Sequence, residues 1–138
     1  MVVEIKTPIQ KRISLFSDFH KDLTQNPLTD DIAVKRDEES VKESIKNLIL
    51  TDRGERPMQP LLGGNIRAML FENNTPAVLK LIKERVQDTI IQYEPRAALI
   101  DVTVKSLIDN NKVEVGIYFY LNNSEEPVSV TVFLERTR

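Results

Sequence analysis

Between Tyr93 and Arg96 the hydrophobic period of the chain changes from that of a helix to that of a strand, and the chain is organised around that joint. Upstream, Thr75-Pro76 offers an N-cap and a proline at the first helical position. Val78, Leu81, Ile82, Val86, Thr89, Ile90 and Tyr93 then hold one face, with Lys80, Lys83, Glu84, Arg85, Gln87 and Asp88 largely opposite. The mixed charges mark a core helix rather than one lying on a membrane. Pro95 fixes its own φ and steers Glu94 out of the helical region. The helix is therefore predicted to stop near Tyr93, with Glu94 extended, Pro95 turning the chain and Arg96 entering a sheet. If Glu94 and Arg96 are both extended, their side chains leave on one side. Two readings stay open: a local ion pair that shapes the turn, or a rigid corner offering a bidentate contact to a partner.

Past the joint, Ile100, Val102 and Val104 alternate with Asp101, Thr103 and Lys105. Asp109-Asn110-Asn111-Lys112 suits a hairpin turn. Val113, Val115, Ile117, Phe119 and Leu121 alternate with Glu114, Gly116, Tyr118 and Tyr120, and Val128, Val130, Val132 and Leu134 with Ser129, Thr131, Phe133 and Glu135. Pro127 sits at a strand start, where proline is tolerated. The pattern predicts a three-stranded antiparallel meander with one aliphatic face and one carrying Tyr118, Tyr120 and Phe133. Its last strand has neither an inward charge nor an internal proline, so it could accept a foreign strand. Glu135, Arg136 and Arg138 are the competing protection of that edge.

Residues 1–37 read as an irregular, mostly extended arm broken by Pro8 and Pro27, except that Leu15, Phe16 and Phe19 suit one or two helical turns. These aromatics either pack on the protein's own core or anchor a neighbouring chain. Asp37 is a good N-cap for a helix with Val41, Ile45, Leu48 and Ile49 on one stripe and a Glu38–Lys42 pair on the wet face. Arg53-Gly54 is expected to end it. The loop from Gly54 to Gly64 has two prolines and lacks the spacing and lysine of a phosphate loop. A short helix with Ile66, Met69 and Leu70 apolar should end near Asn73-Asn74. The fold class is thus α+β: an arm over 1–37, then one domain over 38–138, with helices at about 38–93 and the sheet at about 97–136.

With 138 residues, 19 basic and 21 acidic side chains and a net charge of −2, no global field draws the chain to nucleic acid or an anionic membrane. No stretch approaches a membrane span, and the N-terminus lacks a signal-peptide core, so use in the cytoplasm is expected. There is no cysteine and a single histidine, His20, so neither a thiolate site nor a histidine-rich metal site is expected; His20 between Asp18 and Asp22 has no second soft ligand nearby. No cofactor and no catalytic residues are expected. One catalytic arrangement is worth weighing, Glu94 as the acid of a glycoside hydrolase with Asp101 or Glu72 as partner. It needs a raised pKa, and Arg96 beside Glu94 would lower it.

Several blocks in order carry a resemblance: Ser44-Ile45-Lys46-Asn47-Leu48-Ile49-Leu50-Thr51, Arg53-Gly54-Glu55-Arg56-Pro57, Gly63-Gly64, Leu70-Phe71-Glu72-Asn73-Asn74-Thr75-Pro76 and Tyr93-Glu94-Pro95-Arg96. Across about half the chain this resembles the small baseplate wedge protein family of contractile-tailed phages, which includes a baseplate subunit of type VI secretion systems. The arm at 1–37 carries no match. The resemblance implies a structural protein of the virion tail baseplate, assembled in the host cytoplasm. Its partners would be larger wedge subunits, held through Glu94, Pro95 and Arg96, and the tail-sheath subunit. The strand with Val128, Val130, Val132 and Leu134 would seed the sheath by strand exchange. No nucleic acid and no direct membrane insertion are implied. Because the family has also been described as lysozyme-like, a peptidoglycan-degrading tail hydrolase is the alternative.

Overall fold

The computed structural model describes residues 14–72, 75–107, 111–122 and 124–135. Met1–Asp37 and Glu38–Arg138 are two compact units. The arm before residue 14, Asn73-Asn74, the turn residues Asp109 and Asn110, and Arg136 and Arg138 lie outside the described residues.

In the first unit the segment expected to make helical turns is a strand. β1 (Ser17–Phe19) pairs antiparallel with β2 (Val34–Arg36), with Asp18 opposite Lys35 and Phe19 opposite Val34. A further bridge joins Gln25 to Ile32. The helical spacing of Leu15, Phe16 and Phe19 loses because Phe19 finds a cross-strand partner in Val34 and because Asp37 anchors the strand's base. Its Oδ1 accepts the Leu15 and Phe16 amides at 2.8 and 3.2 Å, and its own N–H donates to the Phe16 carbonyl. Asp37 therefore does more than start a helix; at φ 46° it is a left-handed residue closing a hairpin.

Apart from Asp37, which the first unit includes, the second unit contains the helices α1 (Asp37–Leu50), α2 (Ile66–Leu70) and α3 (Pro76–Tyr93), then the strands β3 (Ala97–Leu107), β4 (Lys112–Leu121) and β5 (Pro127–Glu135) in the order β3-β4-β5. The α1 stripe of Val41, Ile45, Leu48 and Ile49 is buried, and Lys42 pairs with Glu38 on the outer face. This helix ends at Leu50, before the expected Arg53-Gly54. Thr51 Oγ1 donates to the Asn47 carbonyl at 2.6 Å, satisfying the last turn, and the Asp52 amide donates to Glu55 Oε2 at 3.0 Å, which turns the chain away. Gly54, at φ +85°, serves inside the loop, where its N–H donates to the Pro60 carbonyl.

α3 is N-capped as its sequence predicts, the Thr75 hydroxyl accepting the Val78 amide with Pro76 in the first turn. Ile82, Val86, Thr89 and Ile90 are buried, whereas Leu81 is exposed at the margin of the apolar stripe. On the predicted aliphatic face of the sheet, Val102, Val115, Ile117, Phe119, Val132 and Leu134 are buried as well. Each such buried aliphatic side chain is worth about 1.5–3 kcal/mol. Ile100 breaks the expected alternation. The pairing skips between Leu99 and Asp101, so Ile100 is the extra residue of a β-bulge and is exposed rather than facing the core. The opposite face carries Tyr118, Tyr120 and Phe133, as expected. Among the described residues no helix is long and apolar enough to cross a membrane.

Candidate partner-binding site

The helix-to-sheet joint is a turn rather than two extended residues. Glu94 is the C-cap of α3, its N–H donating to the Ile90 carbonyl at 2.9 Å, and its own carbonyl accepts the Ala97 amide at 3.2 Å. Pro95 and Arg96 are the central residues of that turn, so Arg96 precedes the sheet instead of entering it. A proline at the first central position presets the required φ. The turn still brings Glu94 and Arg96 side by side. Arg96 Nε donates to Glu94 Oε1 at 2.6 Å and Arg96 Nη2 to Glu94 Oε2 at 2.9 Å, the bidentate fork that guanidinium and carboxylate geometry favours.

The acid is not on offer to a partner, however. Glu94 is 3 % exposed, and the Ser44 hydroxyl of α1 donates to its Oε2. Burial is the largest single influence on this carboxyl and pushes its pKa up. The Arg96 fork, the Ser44 hydroxyl and the guanidinium charge together outweigh it and hold the group below its ordinary value. Glu94 is thus a buried anion that orients Arg96, whose side chain keeps 26 % exposure. The end of β4 clamps the rest of the turn: Asn122 Nδ2 donates to the Pro95 carbonyl at 3.1 Å and the Asn122 amide to the Arg96 carbonyl at 3.3 Å. Pro95 itself is exposed.

Two hollows flank the corner. One, of about 560 Å³, runs between the last turns of α3 and the bulged start of β3, bordered by Asp88, Ile91, Glu94, Pro95, Leu99 and Ile100. Both isoleucines are exposed. The other, of about 350 Å³, lies against Pro60, Leu61, Leu62 and Tyr93, whose hydroxyl donates to the Leu61 carbonyl at 2.9 Å. Both polar and apolar side chains line the first.

At β5 the structure separates side chain from backbone. Val128, Val132 and Leu134 are buried and Val130 is half-buried, so none presents its side chain fully outward. The strand pairs with β4 along one edge, and among the described residues no strand covers the other. What β5 can offer is its row of backbone amides and carbonyls. Elsewhere, His20 Nδ1 lies 3.8 Å from Asp22, and among the described residues no group of three acidic, histidine or cysteine side chains is placed to hold a metal ion. Ser44 and Asn122, which build the corner, carry no local pattern that marks them. Only their place beside the joint in the folded chain does.

Comparison with known proteins finds a family match for the chain. The pattern of the family described as baseplate wedge protein gp25 matches residues 35–126. Baseplate wedge protein gp25 of Enterobacteria phage T4 is 29% identical over 89 residues, covering 64% of this chain and 67% of the relative. Baseplate protein W of Escherichia phage P2 is 28% identical over 96 residues, covering 70% of this chain and 83% of the relative. Among solved structures, a Geobacter sulfurreducens protein provisionally named a tail lysozyme is 26% identical with a TM-score of 0.69, covering 73% of this chain and 92% of that one. A chain of the anti-feeding prophage baseplate shares the fold with a TM-score of 0.61 at 23% identity, covering 89% of this chain and 87% of that one.

Proposed function

This chain belongs to the baseplate wedge protein gp25 family, and we propose that it serves as a structural, non-catalytic connector in the baseplate of a contractile device. In this reading the Glu94-Pro95-Arg96 corner seats on larger wedge subunits, and the open edge of β5 receives a strand of the tail-sheath subunit, starting the first sheath ring. Assembly takes place in the host cytoplasm, without nucleic acid or membrane insertion as part of the task.

The observation that carries the reading is the preorganisation of the corner. Its three carbonyls and both carboxylate oxygens are engaged within the subunit. Pro95 and part of the Arg96 side chain remain at the surface, beside a hollow of about 560 Å³ with exposed Ile91 and Ile100 on its walls. A rigid contact loses little conformational entropy on docking. For β5, support comes from buried side chains beneath an unpaired backbone edge, the arrangement that strand addition uses.

Arg96→Lys is the direct test. It keeps the charge but loses the planar fork. The variant should remain folded by circular dichroism and lose about tenfold or more in affinity for the larger wedge subunits, roughly the 1.4 kcal/mol of one well-placed contact. Unchanged binding would remove the corner from the interface. The hydrolase reading, which the provisional name of the Geobacter neighbour favours, requires a carboxyl kept protonated. Glu94 is held in the opposite state by Arg96 and Ser44. Peptidoglycan turnover by the purified protein that Glu94→Gln abolishes would overturn the structural reading.

A further inference from the structure

The hairpin of the first unit carries an apolar face that two strands cannot bury. Phe19 stands opposite Val34, and Ile32, two residues before Val34, leaves the strand on the same side. All three are exposed, Phe19 by 66%. Toward the tip, Leu23 and Leu28 are exposed as well, Leu28 by 93%. From Asp22 to Ala33 the chain carries Asp22, Asp30 and Asp31 and no lysine or arginine. Lys21 directly precedes this stretch, and His20 Nδ1 lies 3.8 Å from Asp22. On the other face Asp18 lies directly opposite Lys35, so charge there is matched within the hairpin.

A lone two-stranded hairpin is marginal in water and ordinarily needs a third strand or a packing surface. This one has a specified backbone nonetheless. The His20 amide donates to the Ala33 carbonyl at 3.0 Å, the Ala33 amide to the Thr24 carbonyl at 2.7 Å, and the Asn26 amide to the Asp31 carbonyl at 2.7 Å. Gln25 Nε2 ties Asp30 Oδ1 at 2.9 Å across the tip. A shaped element with uncovered apolar side chains is already organised for docking. The fold shared with the anti-feeding prophage baseplate chain also extends over more of this chain than Glu38–Arg138 contains, so part of Met1–Asp37 belongs to that shared fold.

We propose that this hairpin is a docking arm. Its Phe19–Ile32–Val34 face and acidic tip seat in an apolar groove bordered by lysine or arginine side chains on a larger wedge subunit. The inference rests on the wedge reading above but concerns a surface other than the Glu94–Arg96 corner. Acidic residues around an apolar anchor select a basic rim, which speeds encounter and fixes register.

Because the chain has no cysteine, Leu28→Cys introduces a unique thiol for a benzophenone maleimide. Irradiating the complex of the full chain with its larger wedge subunits should cross-link the tip to a lysine- or arginine-bordered apolar segment of a wedge subunit. The pair Phe19→Thr with Val34→Thr, which keeps β-branched residues in the strands, should weaken the complex about tenfold or more. Asp22→Asn with Asp31→Asn should flatten its salt dependence. A cross-link only to a second copy of the chain, or back to residues 38–138, would overturn the proposal. So would unchanged affinity in the threonine pair while Arg96→Lys still weakens binding, an outcome that leaves the corner standing. If the unaltered chain binds no wedge subunit, the wedge reading fails together with the docking arm.

Discussion

Arg96 Nε and Nη2 lie 2.6 and 2.9 Å from the two oxygens of Glu94, a carboxylate that is almost wholly buried. The guanidinium is thus fixed in orientation by an acid that is itself shut away from the surface. A surface ion pair of this composition would contribute little. Burial changes the balance, because removing either member strands the other in a site with poor access to water. This makes the corner part of the subunit's stability as well as a candidate contact.

That coupling gives the corner a pH signature. The folded-state pKa of Glu94 lies below its ordinary value, so its contribution is present above the ordinary glutamate pKa and is lost as pH falls through the lowered one. Glu94→Gln should cost about 1.5–3 kcal/mol at neutral pH, the worth of hydrogen bonds to a charged group. It should also remove one component of the acid destabilisation. Urea midpoints compared between about pH 7 and pH 3 check both. An acid limb equally steep in both proteins would mean that Glu94 is not held ionised by its neighbours.

Ser44→Ala isolates the contribution of α1 to the corner. The hydroxyl donates to Glu94 Oε2 from fifty residues away in sequence. Its loss should cost about 1 kcal/mol and raise the Glu94 pKa, since one of the donors favouring the anion is gone. A titration of the Glu94 side-chain carboxyl by carbon-detected NMR measures the shift directly.

The contrast between Ser44 and Pro95 shows what a linear sequence carries. Pro95, Thr75 and the change of period act within a few residues, and they placed the end of α3, its cap and the three strands where the structure has them. Ser44 and Asn122 act across long loops, and neither spacing nor residue type marks them out. Ile100 is apolar at an apolar position, yet the bulge exposes it, because register is decided by pairing with β4 rather than by alternation alone. In the arm, Phe19 has a helix-compatible spacing but finds Val34 opposite, a contact invisible until the chain folds back. Local signals gave the elements; the site was built by contacts between them.

Gly63 is a stability checkpoint in the loop before α2. At φ +110°, a Cβ added there would lie 2.3 Å from the Thr51 carbonyl oxygen. Backbone atoms cannot step aside as a flexible side chain would. Gly63→Ala should therefore destabilise by about 1–3 kcal/mol or more, combining a disfavoured conformation with the clash. Thermal melts against the unaltered chain measure it, while Gly54→Ala, where nothing lies within 4 Å, separates the strain of positive φ from the clash.

The final edge can be tested without breaking the core. Val128, Val132 and Leu134 are buried, so changing them would unfold the sheet and say nothing about strand addition. Val130, in the middle of β5, is half-buried and opposite Ile117. A lysine there can run its methylenes along the apolar rim and leave its ammonium in water, placing a charge where an incoming strand would pack. Val130→Lys should leave the circular dichroism spectrum unchanged and binding to the larger wedge subunits intact, because Val130 belongs to neither the corner nor the hairpin. Sheath polymerisation started from that complex, counted by electron microscopy, should fall to the level seen with no starter. Normal sheaths grown on a folded Val130→Lys complex would show that the open edge of β5 is not where the first ring begins.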